Sequence, residues 1–407
     1  MLFINHRVPN LQQPRNTRRQ TQAKRNLFLI MFESSITAGL ISMSIMTPFY
    51  LSLGMTQAEI ALSQAIFTIV ISFLNLPAGW VADRFGRKWA NVVGDIGGAI
   101  SFLLYSQIHG FAGAVVCECL LGLFHALSQG VDLSLVKHFS GQISQSESYF
   151  RQQVARLNLL RNLCTLALVL LGGPIGAISF RLAIALSSIP QFIGGIINML
   201  IIDDSERLVA QYRNPLQDMF RIATSCWHNH RIRLRILVYA IGREMTHGII
   251  WVYTPILLYA GVPLAVVSLA WAINSLFAIC GSYLASHYAP RLHPWQILAI
   301  PLFIMSIAMG VLSWNISIYT VWLYFAAGIV QGWTGATLST LIQSEAPAAE
   351  QTSVVSLAHV AGQLVYVPAV SIIGKAADLN LHFAPLMTLI IFIPAGCVLA
   401  IRLAREP

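Results

Sequence analysis

What this chain most lacks is charge. Its 25 Lys and Arg and 16 Asp and Glu make up 10% of 407 residues, against 56% hydrophobic residues. A soluble domain carries about 25% charged residues, so a soluble enzyme or binding module is excluded, and a mean hydropathy of +0.67 reads as a polytopic membrane protein. Alternation of apolar and polar residues is also missing. The apolar runs are continuous, which excludes the strands of a membrane barrel. No apolar stretch precedes Leu27; Arg7, Arg15, Arg18, Arg19, Lys24 and Arg25 fill that region instead, so it is not a signal peptide. The tail, 1–26, is expected to be cytoplasmic and partly disordered. Six cysteines offer neither a disulfide framework nor metal-ligand spacing, because Cys117 and Cys119 project from different sides of a helix. No metal and no cofactor are expected. The net charge of +9 lies in the tail and in alternate loops, where it fixes topology and does not bind nucleic acid.

A helix needs about 20 apolar residues to cross a bilayer, and about twelve such spans fit this length. The sequence places them at about 27–53, 59–81, 90–108, 111–136, 153–175, 182–202, 236–260, 263–287, 295–314, 316–342, 353–374 and 383–403. The polar stretch 203–235 divides two halves, 27–202 and 236–403, and 404–407 is a short cytoplasmic tail. This linker carries Arg207, Arg213, Arg221, Arg231, Arg233 and Arg235, and its apolar positions suit a helix lying on the membrane surface. With both ends inside, nearly all Lys and Arg fall on the cytoplasmic side, leaving Arg181 and Lys375 opposite. The acidic loop with Glu345 and Glu350 dissents, but acidic residues count little in that rule.

The stretch PAGWVADRFGRK, Pro77 to Lys88, is a dense charge cluster between two apolar runs, so it marks a membrane surface and a sharp turn. It resembles the GxLaDrxGRkx signature of the major facilitator superfamily. Gly79, Ala82, Asp83, Arg84, Gly86, Arg87 and Lys88 occupy the pattern, with Val81 where Leu is usual. A solvated turn of mixed charge is the plainer reading. The halves echo each other: small residues at 122, 126 and 130 match 328, 332 and 336, while YAPR at 288–291 repeats the signature without its acid. The resemblance implies an all-α fold of twelve transmembrane helices in two pseudo-symmetric six-helix halves, with substrate between them. It further implies alternating access, with Gly79, Asp83, Arg84, Gly86, Arg87 and Lys88 gating the cytoplasmic side.

Five acids fall inside predicted spans: Glu33, Asp95, Glu118, Asp132 and Glu244. Each costs roughly 2.5–3.5 kcal/mol at a helix centre unless paired or hydrated, so each is a functional candidate beside the plainer reading of a structural ion pair. Glu118, His125, Gln129 and Asp132 share one face of the fourth span. Glu118 and Gly122 stand where the arginine motif RxxxG of many facilitator exporters lies, with the sign of charge reversed. Arg243, Glu244 and His247 cluster in span seven, the pseudo-symmetric partner of span one and its Glu33. Glu33, Glu244, Glu118 and His247 are the proton-coupling candidates. Candidates for lining a substrate cavity are His125, Gln129, Asp132, Arg161, Arg243, Trp251, Trp333, His359, Gln363 and Tyr366. Arg161 is free in sequence to meet an anionic substrate, Glu118 or Glu33, whereas Asp95 is expected to pair with a base such as Lys88 near the inner surface.

The run LLGGPIG at 170–176 looks like part of the antiporter motif GxxxGPxxGG. The expected function is therefore proton-coupled export of a small amphipathic compound such as a drug, a peptide-like antibiotic or a siderophore, by a monomer in a bacterial cytoplasmic membrane. An importer of a nutrient or metabolite and a lipid flippase on the same fold are the alternatives. An enzyme is not expected: HNHR at 228–231 is the only loop motif to consider, and beside Arg233 and Arg235 it reads as a basic anchor.

Overall fold

The computed structural model describes residues 13–128, 131–202, 224–343, 345 and 351–405, and they are helical nearly throughout. The first half holds α1 (Gln13–Thr37), α2 (Met46–Ser52), α3 (Gln57–Phe85), α4 (Arg87–Tyr105), α5 (Phe111–Ser128), α6 (Val131–Ile143), α7 (Glu147–Ile178), α8 (Phe180–Leu186) and α9 (Ser188–Leu200). The second holds α10 (His230–His247), α11 (Ile250–Tyr259), α12 (Leu264–Tyr288), α13 (Pro294–Trp314), α14 (Phe325–Gln343), α15 (Gln351–Leu379) and α16 (Phe383–Ala404). Among the described residues, nine spans are long and apolar enough to cross a membrane. The other three of the expected twelve are α4 and α10, which carry more charge, and the span ending in α14, which opens as a 3-10 turn at Val321–Tyr324.

Chemistry at the ends explains where helices start and stop. Thr56 and Glu59 form a reciprocal capping box at the start of α3, at 3.2 and 2.9 Å. Asn229 accepts the backbone N–H groups of Arg231 and Ile232 to start α10. The signature stretch is not a loop: α3 runs through Pro77 and Asp83, and Gly86 alone turns, at φ 102°, before α4 begins at Arg87. A side chain would be strained at that angle. Two expectations move at the borders. α1 reaches back to Gln13, inside the expected tail, and 230–235 form the first turns of α10. The rest of the linker expectation, 203–223, lies outside the described residues.

Spans one and seven are both broken, at 38–45 and at 248–249, beside Gly39 and Gly248. Repeat-related broken helices are where transporter folds build sites, since the freed backbone groups face a cavity and not lipid.

Each half has its own apolar core. One unites α10 to α16 around Met245, Tyr253, Leu298, Met305 and Phe392. The other half centres on Ile45, Phe49, Tyr105 and Ile184, with a second cluster around Ile30, Leu135 and Phe139. A small cluster, Ala61 and Ala65 with Tyr366 and Val370, joins α3 to α15, and Trp251 and Leu264 pack on the core of the first half. Side chains such as Phe28, Phe73, Ile178 and Leu364 project outward as a hydrocarbon-facing coat.

Candidate functional site

The end of the bundle bearing residues 13, 85–87, 230 and 404 is called the tail side, and the opposite end the far side. Several hydrogen bonds join the halves at the far side and midway. Thr47 donates to the Trp251 carbonyl (3.0 Å) and Thr254 to the Ser44 carbonyl (3.1 Å), locking the broken segments of spans one and seven together. Asp378 accepts the backbone N–H groups of Gln57 (2.6 Å) and Ala58 (2.9 Å) at the first turn of α3. Ser268 donates to the Leu170 carbonyl, beside Gly173, whose α-carbon packs on α12. Midway, Ser72 donates to Gln363. The far side is thus sealed.

One cluster forms on α10 and α15 of the second half. Arg243 Nε lies 3.4 Å from Glu244 Oε1, and His247 Nδ1 lies 3.7 Å from Glu244 Oε2. Arg243 Nη1 donates to Tyr239 Oη (2.7 Å) and to His359 Nδ1 (3.1 Å). A guanidinium only donates, so the nitrogen of His359 facing it is an acceptor. Trp251 donates to Tyr366 Oη at 3.0 Å, closing the far end. Of this cluster, the Glu244 side chain is 8% exposed and that of Arg243 39%. At about 1.5 Å per residue from His230, Arg243 sits roughly 20 Å along its helix, near mid-bilayer depth.

The remaining candidates fall into separate groups. Asp132 on α6 accepts from Arg161 (2.8 Å), Ser34 (2.6 Å) and Asn91 (2.8 Å), tying α7, α1 and α4 together; of the partners left open by the sequence, Arg161 thus takes another acid. Glu118 is buried, and its Oε1 accepts from Tyr50 (3.0 Å), Tyr105 (2.9 Å) and Gln64. Glu118 and Asp132 therefore belong to two joints, although both lie in span four. His125 is exposed, its ring 6.3 Å from Phe67. Gln129 lies outside the described residues. Trp333 is buried within the second half and donates to the Ile297 carbonyl, away from the Arg243 cluster. Glu33, 1% exposed, lies beside Asp95 and accepts from Thr37 at 3.4 Å. Asp95 in turn accepts from Asn198 at 2.8 Å. The expected base for Asp95 goes elsewhere: Lys88 donates to the carbonyls of Met199 (2.8 Å) and Ile201 (2.6 Å) at the end of α9, where a cation suits the helix dipole. Gly79 lies within α3, and the side chain of Asp83 is outside what the structure describes; Arg84 and Arg87 flank the Gly86 turn and each engages a partner.

Sequence reasoning missed Tyr239, Gln64, Ser72 and Asp378. Tyr239 was legible, because it precedes Arg243 by four residues and shares its face. The others act across helices distant in sequence. An apolar crevice on the lipid side, lined by Phe32, Ile36, Cys164, Leu171 and Ile189, holds no polar handle for a cargo. Among the described residues there is no cluster that could hold a metal ion.

Comparison with known proteins gives one family and one fold. Residues 27–370 match the family model described as Major Facilitator Superfamily. No curated protein matches the chain. A mutant of the nucleoside transporter NupG superposes with a TM-score of 0.78 at 13% identity, covering 94% of this chain and 99% of that one. A bacterial homologue of the human lysosomal transporter Spinster, inward-facing and unoccupied, gives 0.71 at 14%, covering 95% and 97%. A D-xylose–proton symporter gives 0.68 at 13%, covering 93% and 96%.

Proposed function

We propose that this chain, which belongs to the Major Facilitator Superfamily, moves a small amphipathic compound across a bilayer by alternating access and couples that movement to protons. The carrying observation is the joint arrangement of two self-contained halves, sealed at the far side, with the part-exposed cluster of Arg243, Glu244, His247 and His359 at mid-bilayer depth. Such groups shift protons when rocking of the halves changes their hydration. The positive-inside count favours a cytoplasmic tail side, which makes the sealed far side the outward-facing one. A multi-pass bacterial inner-membrane monomer, not an enzyme, fits this reading. Signature residues Gly79, Asp83, Arg84, Gly86, Arg87 and Lys88 act as the tail-side gate.

The expectation of export rests on Gly172, Gly173, Pro174 and Gly176. These residues pack α7 against span one and α12, a contact that serves closure whichever way cargo moves. A second reading, uptake with protons, is favoured by the Arg243–Glu244 pair and by likeness to a sugar–proton symporter. The test is an internal pH dye in proteoliposomes, with drugs, antibiotic peptides, siderophores and organic acids added in turn. Proton flux triggered by one compound and abolished by Glu33→Gln or Glu244→Gln supports coupled transport. Solute movement with no proton signal overturns the coupling.

A further inference from the structure

The geometry points to Arg243 as the binding group for an organic monocarboxylate, with Glu244 taking up a proton as the acid binds. The assignment rests on the transport reading above only for its consequence, that acid and proton cross together.

The fork of Arg243 carries the argument. Its Nη1 is engaged by Tyr239 and His359. The other edge, Nε with Nη2, is held only by the 3.4 Å contact of Nε with Glu244 Oε1, and Nη2 has no partner among the described residues. A charge-assisted N–H to carboxylate bond is normally about 2.7–2.9 Å, and this edge matches a carboxylate bidentately. Glu244 therefore holds loosely, by one oxygen, a fork that an incoming carboxylate fills with two. At 39% exposure Arg243 is reachable.

Displacing Glu244 leaves a carboxylate, 8% exposed, with only His247 at 3.7 Å. It has nowhere to turn on the α15 side, because a β-carbon on Gly362 would stand 2.9 Å from its Oε1. An ionised carboxylate stranded there is costly, and a proton removes the cost. The neighbouring groups are Tyr239 and His359, which bond to each other and to Arg243, and Tyr366, which also lies near Glu118 of the other half. Of the helices packed on α10, α13 and α14 carry no charged side chain, α16 carries only Arg402 at its tail end, and α15 adds Lys375 and Asp378 at its far end. One cation with one exchangeable acid balances a monoanion, not a phosphate dianion. Trp251, half-buried beside Tyr366, offers aromatic surface to an apolar body. Because the proton and the acid bind together, an inward proton gradient drives both inward.

The experiment is isothermal titration calorimetry of the full chain in lipid nanodiscs, from pH 5.5 to 8, in two buffers of different ionisation enthalpy. The probes are benzoate, 4-hydroxyphenylacetate and indole-3-acetate, each with its amide and amine counterpart, and inorganic phosphate. The expected result is saturable binding of at least one acid with one proton taken up, weakening about tenfold per pH unit wherever Glu244 is ionised. Glu244→Gln should bind that acid at least as tightly, with no pH dependence and no proton uptake. Arg243→Gln should abolish binding, and Arg243→Lys should restore it only in part. Preference for the amides, amines or phosphate, no saturable acid binding, or pH-dependent binding in Glu244→Gln overturns the assignment. Proton-coupled flux of a neutral or cationic compound with no acid binding overturns this assignment alone. Acid and proton binding without flux in liposomes overturns the transport reading alone.

Discussion

Asp378 of one half accepts the Gln57 backbone N–H of the other at 2.6 Å, and the N–H of Ala58 at 2.9 Å. A carboxylate from α15 thus caps the first turn of α3, satisfying two N–H groups that the helix cannot satisfy itself. It is a latch on the sealed side.

Removing the latch should favour the opposite conformation. A carboxylate at a helix N-terminus contributes up to about 2 kcal/mol, so Asp378→Ala should shift the balance of conformations by about tenfold. Spin labels on Leu53→Cys and Asn380→Cys, with the exposed Cys280 and Cys397 replaced by Ser, read this directly. A distance distribution unchanged by Asp378→Ala rules the latch out.

The Asp132–Arg161 joint should be structural. Its side chains are 17% and 32% exposed, so the cost of breaking it falls below the 3–5 kcal/mol of a fully buried pair. Asp132→Asn should cost about 2 kcal/mol, seen as a lower Tm of the detergent-solubilised chain. Because each single variant strands a partner, Asp132→Asn with Arg161→Gln should cost less than the sum of the two. Additive losses would mean that the groups do not interact.

Glu33 carries an oxygen, Oε2, that is buried and accepts no hydrogen bond. That oxygen lies on the same buried side chain that neighbours Asp95. Glu33→Gln supplies an N–H in its place and should leave stability within roughly 1 kcal/mol of the parent, whereas Glu33→Ala opens a cavity and should cost about 3 kcal/mol, both read from thermal unfolding. Equal losses in both variants would show that the carboxylate itself, and not the volume of the side chain, is required there.

Small residues at 122 and 328 share an echo in sequence but not a tolerance. A β-carbon on Gly328 meets the Asn274 backbone carbonyl at 2.5 Å, while one on Gly122 meets a methyl of Val70 at 2.9 Å. Backbone cannot yield and a side chain can, so Gly328→Ala should destabilise the chain by about 1–3 kcal/mol more than Gly122→Ala, seen as a lower Tm. The reverse order would contradict the packing of α12 on α14.

Much of this was legible in order of residues. Hydrocarbon admits only backbones that satisfy their own hydrogen bonds, so runs of apolar residues fix spans. Arg243, Glu244 and His247 meet as spacing suggested, because three and four residues make one helical face. The signature stretch was less legible: Asp83 and Pro77 sit within a continuous helix, and only Gly86 supplies the turn. Span four read as one polar stripe, yet Glu118 and Asp132 face different neighbours.

By itself, then, the sequence determined the class of molecule through composition and local periodicity, and its family through the signature stretch Pro77 to Lys88. Tertiary structure alone decided the partners of the buried charges. Lys88 caps α9 and not Asp95, Arg161 holds Asp132, Asp95 meets Glu33, and Asp378 reaches the other half. The physical reason is that a charge in a membrane takes whatever compensating group packing brings within about 3 Å, and helix packing joins residues that lie from tens to hundreds of positions apart in the chain.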